Sequence, residues 1–218
     1  MSDAEFVASF SDKHAINGDL LHGEGATQSI FNPATGEVIA EVAETSLAQV
    51  DMAVNAASQA FTRWSRTTPA ERATILLRIA DAIEKQAPQL ARLEALNCGK
   101  PLHQALNDDL PAAVDVFRFF AGAVRCQQGQ LAGEYLPGHT SMVRRDPLGV
   151  VASIAPWNYP LMMSAWKIAP ALAAGNTVVF KPSEHTPLTI LALLPALQDI
   201  LPPGVLNVIT GSGESVGN

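Results

Sequence analysis

The sequence predicts an α/β protein: N-terminal helices, then the first half of a doubly wound parallel sheet, with a β-hairpin between them. Three observations predict it. Residues 46–127 carry apolar positions at helical spacing behind paired start signals. Residues 149–210 hold three apolar runs without alternation, GVVASIAP (149–156), NTVVFKP (176–182) and VLNVIT (205–210), separated by stretches long enough for crossover helices. Such runs suit strands buried on both faces, and right-handed crossovers make them half of a doubly wound sheet. Between the two regions, GEYLPGHTSMVRRDP (133–147) reads as two strands around a Pro-Gly turn.

The elements follow in order. Residues 1–45 read as irregular structure with short strands, because NGDLLHGEG (17–25) and NPATGEVIAEV (32–42) set turn residues beside short alternating runs. Ser46 and Gln49 have capping-box spacing, and Val50, Val54, Ala57, Phe61 and Trp64 form the apolar stripe behind them. Thr68, Pro69 and Glu71 start a second helix that buries Ile75, Leu76, Ile79 and Ile83. Pro88 opens a third helix that Gly99 ends. A fourth runs from about Asp109 to Gln127, with Val114, Phe117 and Ala121 on one side. A sheet of three strands is incomplete, and an unpaired edge is expected after its third strand.

Composition excludes several classes. The chain has 218 residues, 48% of them hydrophobic, enough for a sizeable core in one or two domains. A net charge of -7 argues against non-specific nucleic-acid binding. Cys98 and Cys126 form no CxxC pair, and no histidines cluster at metal spacing. Neither a disulfide framework nor a metal site is expected, and a reducing, cytoplasmic setting fits. MSDAEFVASFSDK lacks the basic and apolar regions of a signal peptide. From Leu148 to Phe180 only Lys167 is charged, yet Pro156, Asn158, Pro160, Pro170, Gly175 and Asn176 cut the run into pieces too short to span a bilayer.

The motifs sit at strand ends, where open α/β sheets bind ligands. APWN ends the first run, KPSE the second, and GSGESVG follows the third. Gly211, Gly213 and Gly217 give GxGxxxG, a weak dinucleotide fingerprint that also suits a plain turn before a helix. Lys181 and Glu184 at one strand exit can hydrogen-bond the hydroxyls of a ribose. Alternatively, Ser183 caps the next helix and both charges are solvated. Asn158 and Pro160 read as a turn that opens a helix, Lys167 as a snorkelling side chain, and Trp166 as core.

Taken together, PWNYP and KIAPALAAGNTVVFKPSEHTPL resemble the aldehyde dehydrogenase superfamily. The likeness runs from FNPATGEVIAEV through NCGKP and RRDPLGVV to the C-terminus. GEYLPGHTSMVRRDPLGVVASIAPWNYPLMM is most similar to 4-aminobutyraldehyde dehydrogenases, with betaine aldehyde dehydrogenases next.

The resemblance implies a Rossmann-like, NAD-binding fold in three parts. Residues 1–132 are the helical part of the NAD-binding domain, 133–147 the hairpin of an oligomerisation domain, and 148–218 the first three strands of the Rossmann-like sheet; the catalytic domain is absent. It implies oxidation of an aldehyde, here 4-aminobutanal to 4-aminobutanoate as in putrescine degradation, by a longer form that is a homodimer or homotetramer. No nucleic-acid or membrane partner is implied. By family likeness Asn158 donates to the oxyanion formed when a cysteine attacks the aldehyde, and Lys167 has a charge-relay role. Ala155, Pro156 and Trp157 line the cofactor path. Lys181, Pro182, Ser183 and Glu184, with Gly211 at the next strand end, hold the cofactor. Tyr159 and Trp166, seven residues apart, line a channel for a cationic aldehyde, and Asp109 is the acidic residue at its mouth, with Asp108 the neighbouring candidate. Asp109 also suits the N-cap of the helix that begins near Pro111. The family's nucleophilic cysteine and water-activating glutamate have no counterpart here, since Cys98 and Cys126 match neither motif nor position. This chain by itself is therefore expected to lack dehydrogenase activity.

Overall fold

Two capping boxes close as their spacing requires. The computed structural model describes residues 3–127 and 129–217. The Gln49 amide donates to Ser46 Oγ (3.3 Å) and the Ser46 amide to Gln49 Oε1 (3.1 Å). Thr68 and Glu71 repeat the reciprocal pattern. These boxes begin α2 (Leu47–Trp64) and α3 (Pro69–Lys85). Ahead of them lie α1 (Asp3–Ala8), β1 (Lys13–Ile16), β2 (Asp19–His22), β3 (Thr27–Phe31) and β4 (Val38–Ala43). After them come α4 (Ala87–Cys98), a single turn α5 (Leu102–Gln104), a π-helical segment (Ala105–Asp109) and α6 (Leu110–Arg125). Gly99 ends α4 in the left-handed conformation, φ 73°.

A hairpin, β5 (Gln130–Leu136) and β6 (His139–Val143), turns at Pro137–Gly138 and pairs only with itself among the described residues. The remaining elements are β7 (Val150–Ile154), α7 (Pro160–Ala173), β8 (Thr177–Lys181), α8 (Leu188–Gln198), β9 (Leu206–Val208) and the single turn α9 (Gly213–Val216). β7, β8 and β9 are parallel neighbours, as the apolar runs require.

The sheet is wider than the sequence suggests. Its order is β2-β1-β9-β8-β7. β1 pairs antiparallel with β9 at Ala15 and Val208, and the Asn17 amide donates to Asn207 Oδ1 (2.9 Å). The edge expected after the third strand is therefore covered. The edge strands among the described residues are β2 and β7, and on β7 Val150 is 37% and Ile154 53% exposed.

Two layers cover the sheet. On one face α2 packs through Ala53 and Ala57 against Ile16, Val179 and Ile209. Val54, expected in that stripe, is exposed. Alanines let the α2 backbone approach closely enough for Thr177 Oγ1 to donate to the Ala57 carbonyl (2.9 Å). On the other face α3, α6, α7 and α8 build the main core. Leu76, Ile79 and Ile83 are fully buried there, as is Phe180 of β8. Burying a side chain of this size stabilises the fold by about 1.5–3 kcal/mol. α7 runs through Pro170 to Ala173, and beyond it the Asn176 carboxamide oxygen accepts from the Leu148 and Gly149 amides. That clamp aligns the starts of β7 and β8, and so brings their carboxyl ends level. No helix among the described residues is long and apolar enough to cross a membrane.

Candidate functional site

The carboxyl ends of β7, β8 and β9 meet at one edge. The ladder continues one residue beyond β7, where the Ala155 amide donates to the Lys181 carbonyl (3.0 Å). Pro156, Trp157 and Asn158 then emerge as an exposed turn, and Tyr159, half-buried, leads into α7 at Pro160. Two bonds fix the turn's backbone. The Trp157 carbonyl accepts from Thr186 Oγ1 (3.0 Å) and from the Cys98 thiol (3.4 Å).

Lys181 ends β8 and is 5% exposed. Its ammonium donates to the Gly211 carbonyl (2.7 Å), the Pro182 carbonyl (3.1 Å) and Glu184 Oε2 (3.3 Å). These contacts offset the cost of burying a charge. Partial burial pushes the Glu184 carboxyl upward, but its own backbone N–H and the Lys181 ammonium outweigh this and hold it below the usual carboxylate range. Glu184 is thus ionised and half-exposed, ready to accept from a hydroxyl.

The alternative reading of this loop fails. Ser183 does not cap α8, because its hydroxyl accepts from the His185 amide instead, and Lys181 is not solvated. Pro182 is buried beside it. Gly211 has φ +149°, and a Cβ there would lie 2.7 Å from Val216 Cγ2. The carbonyl that Lys181 grips therefore sits at a position that favours glycine. A buried ammonium, a half-exposed carboxylate and a glycine backbone at one strand exit fit the hydroxyls of a nucleotide sugar.

The remaining predicted residues separate. Lys167 is half-buried in the middle of α7, and Trp166 beside it is 54% exposed, so Trp166 is not core. Asp109 does not stand free at a channel mouth. It is 5% exposed and paired with the Lys100 ammonium. Nor does its side chain cap α6. Lys100 in turn lies 4.2 Å from the centroid of the Tyr159 ring. Tyr159 and Asp109 are thus brought together, but through a lysine that supplies the cation itself.

The sequence reading gave no role to four residues that shape this edge. Asn97, at the end of α4, donates to the His185 carbonyl (2.9 Å) and accepts from the Leu188 amide (3.3 Å), fastening the loop after β8. Cys98 and Lys100 reach the turn after β7. Thr186 links the two loops. For Asn97, Cys98 and Lys100 the sequence signal is the stretch NCGKP, and Thr186 lies in the KPSEHTPL stretch after β8. Burial, and secondarily the Glu94 carboxylate, pushes the Cys98 thiol up to about 12, so it is a hydrogen donor and not a thiolate nucleophile. Among the described residues no cluster of three or more His, Cys, Asp or Glu is arranged to hold a metal ion.

Residues 21–218 match the model of the aldehyde dehydrogenase family. The fluoroacetaldehyde dehydrogenase of Streptantibioticus cattleyicolor is 51% identical over 206 residues, which cover 93% of this chain and 40% of that protein. Among solved structures, the NAD+ complex of an aldehyde dehydrogenase from Bacillus cereus superposes with a TM-score of 0.94 at 39% identity, covering 100% of this chain and 45% of that one. A betaine aldehyde dehydrogenase from Staphylococcus aureus, solved with NAD+, gives 0.93 at 37% identity over 98% of this chain and 43% of its own. The chain spans about two fifths of the length of the relatives it matches.

Proposed function

The chain belongs to the aldehyde dehydrogenase family, and on that premise we propose that it supplies the coenzyme edge and the oxyanion donor of an NAD-dependent oxidation of an aldehyde to a carboxylic acid. The observation that carries this reading is the convergence of Asn158, the Lys181–Glu184 pair and Gly211 on one edge of the sheet. NAD, when bound, accepts a hydride. This chain's residues hold and orient. Glu184 accepts from the adenosine ribose hydroxyls, and Lys181 fixes both Glu184 and the Gly211 carbonyl. Asn158 aims its side-chain amide at the oxygen that becomes negative when a cysteine outside this chain adds to the aldehyde. A preorganised donor of this kind lowers the barrier by about 3 kcal/mol.

We assign the parts as a helical region (1–132), a hairpin for oligomerisation (133–147) and half of a Rossmann-like domain (148–218), within a cytoplasmic homodimer or homotetramer. Support for the hairpin's role is that it makes no strand pairing with the rest of the described chain.

For the substrate, the first reading is a cationic aldehyde, 4-aminobutanal as in putrescine degradation, with betaine aldehyde the runner-up. The exposed Trp166 ring supports it. A second reading, a short uncharged aldehyde, is favoured by the Lys100 ammonium that neutralises Asp109 and by the relative that acts on fluoroacetaldehyde.

The test of the oxyanion role is Asn158→Ala in a form that includes the nucleophilic cysteine. The expected result is a kcat lower by about a hundredfold or more, with NAD affinity nearly unchanged. A near-normal kcat returns Asn158 to the status of a turn residue.

A further inference from the structure

The end of α4 holds a buried charge cluster that the chemistry above does not use. Glu94 is fully buried, beside the Thr189 hydroxyl and the Leu161 backbone. Its Oε1 lies 3.9 Å from Lys100 Nζ. Lys100, with a side chain 12% exposed, is paired with Asp109, 7% exposed. The π-helical segment Ala105–Asp109 closes with an i→i+5 bond from the Leu110 amide to the Ala105 carbonyl, and it places Asp109 at its end, where it meets Lys100. π-turns of this sort inside helices are frequent at functional sites.

The cluster is aimed at the turn after β7. The Lys100 ammonium lies over the Tyr159 ring, and the Cys98 thiol donates to the Trp157 carbonyl. One segment therefore grips both chain neighbours of Asn158, whose own side chain is exposed. We propose that Lys100, held between Asp109 and Glu94, is a positioning residue that fixes the Trp157–Tyr159 turn and through it the direction of the Asn158 amide. The catalytic part of this proposal rests on the reading of Asn158 as the oxyanion donor; the structural part does not. Burial raises the Glu94 carboxyl above the usual range, and the Lys100 ammonium opposes that shift.

The structural part is tested in the 218-residue chain by 15N relaxation of the amides of residues 157–159. Lys100→Met is the first variant. Because it strands the Asp109 charge, Lys100→Met with Asp109→Asn is the second, removing both partners of the pair. In both, the order parameter of Asn158 is expected to fall from the rigid range to below about 0.6 while those of β7 stay rigid, and Lys100→Arg is expected to restore it. Unchanged order parameters in the doubly substituted chain overturn the proposal, whatever Asn158 does in catalysis.

The catalytic part is tested in a form that includes the nucleophilic cysteine. Lys100→Met is expected to lower kcat about tenfold, with the KM for NAD within about twofold, and to have almost no further effect on top of Asn158→Ala. The same tenfold loss in the Asn158→Ala background places Lys100 outside the Asn158 pathway and overturns it. A failure of the oxyanion reading is distinct, because it shows as normal kcat in Asn158→Ala alone.

Discussion

The Thr186 hydroxyl donates to the Trp157 carbonyl at 3.0 Å, joining the loop after β8 to the loop after β7. β7 and β8 are already paired in register from Val150–Thr177 to Ile154–Lys181. The Thr186 bond extends that pairing beyond the strands into the segments that carry Asn158 and Glu184. Asn97 fastens the same loop from α4, so the two segments share one support.

Thr186→Val keeps the shape and removes the donor. Thr186 is 3% exposed, so water does not readily replace it. The Trp157 carbonyl keeps only the weak thiol donor. The expected loss is about 0.5–1.5 kcal/mol, read from urea unfolding midpoints. No loss would mean that the loops are held by packing alone.

Acid should weaken the sheet through His14. This residue is fully buried, and burial foremost holds its imidazole below the ordinary value of 6.5, despite the Ala43 carbonyl and Asp12, which favour the charged form. His22 nearby also disfavours the charge. The hydrogen bonds close with the proton on Nε2: that group donates to the Ala43 carbonyl, and Nδ1 accepts from Thr45 Oγ1. Thr210 Oγ1 lies 2.7 Å from the same Nε2, and the Thr210 amide donates to Thr45 Oγ1, so the imidazole is enclosed by neutral partners. Because the folded value lies below the unfolded one, this contribution is fully present above 6.5 and is lost as pH falls from 6.5 toward the folded value. One such group changes stability by at most about 1.4 kcal/mol per pH unit. Urea midpoints at pH 7.5 and 5.5 should differ less for His14→Gln than for the parent chain. An equal slope in both would assign the acid sensitivity elsewhere.

The two substrate readings separate in a panel of 4-aminobutanal, betaine aldehyde, butanal and fluoroacetaldehyde, run on a form that includes the nucleophilic cysteine. Ring faces attract cations by about 0.5–2 kcal/mol, which amounts to a few-fold to thirtyfold in kcat/KM. If the cationic-aldehyde reading holds, 4-aminobutanal exceeds butanal by that factor. If butanal matches the cationic aldehydes, the uncharged reading replaces it; if betaine aldehyde leads, the runner-up does.

Local chemistry was legible and distant pairing was not. The Ser46–Gln49 and Thr68–Glu71 boxes announce their helices because both partners lie three residues apart. The three parallel strands announce themselves by unbroken apolar runs. β1 pairs with β9 across nearly the whole chain, and nothing in four residues such as KHAI specifies a partner that far away. The same limit governs the site. Lys181 and Glu184 were legible as a pair because they share one strand exit, whereas Lys100 meets Tyr159 across 59 positions and so remained a lysine after a glycine. For Asp109 the sequence offers a channel mouth or a helix N-cap, and neither shows the Lys100 pairing, because that approach depends on the π-segment, which no local pattern marks.

The measurement that tests the coenzyme edge most directly compares NAD with NADP in a form that includes the nucleophilic cysteine, before and after Glu184→Gln. If Glu184 lies at the coenzyme ribose as proposed, its carboxylate accepts from the 2′-hydroxyl and repels a 2′-phosphate. Like charges about 4 Å apart cost between about 1 and 4 kcal/mol as the surroundings change from water to a protein surface, and about 1.4 kcal/mol is tenfold. The predicted result is a kcat/KM about tenfold or more in favour of NAD, narrowed by Glu184→Gln through a gain with NADP. Equal efficiency with both coenzymes in the parent enzyme would contradict the placement of Glu184 at the ribose.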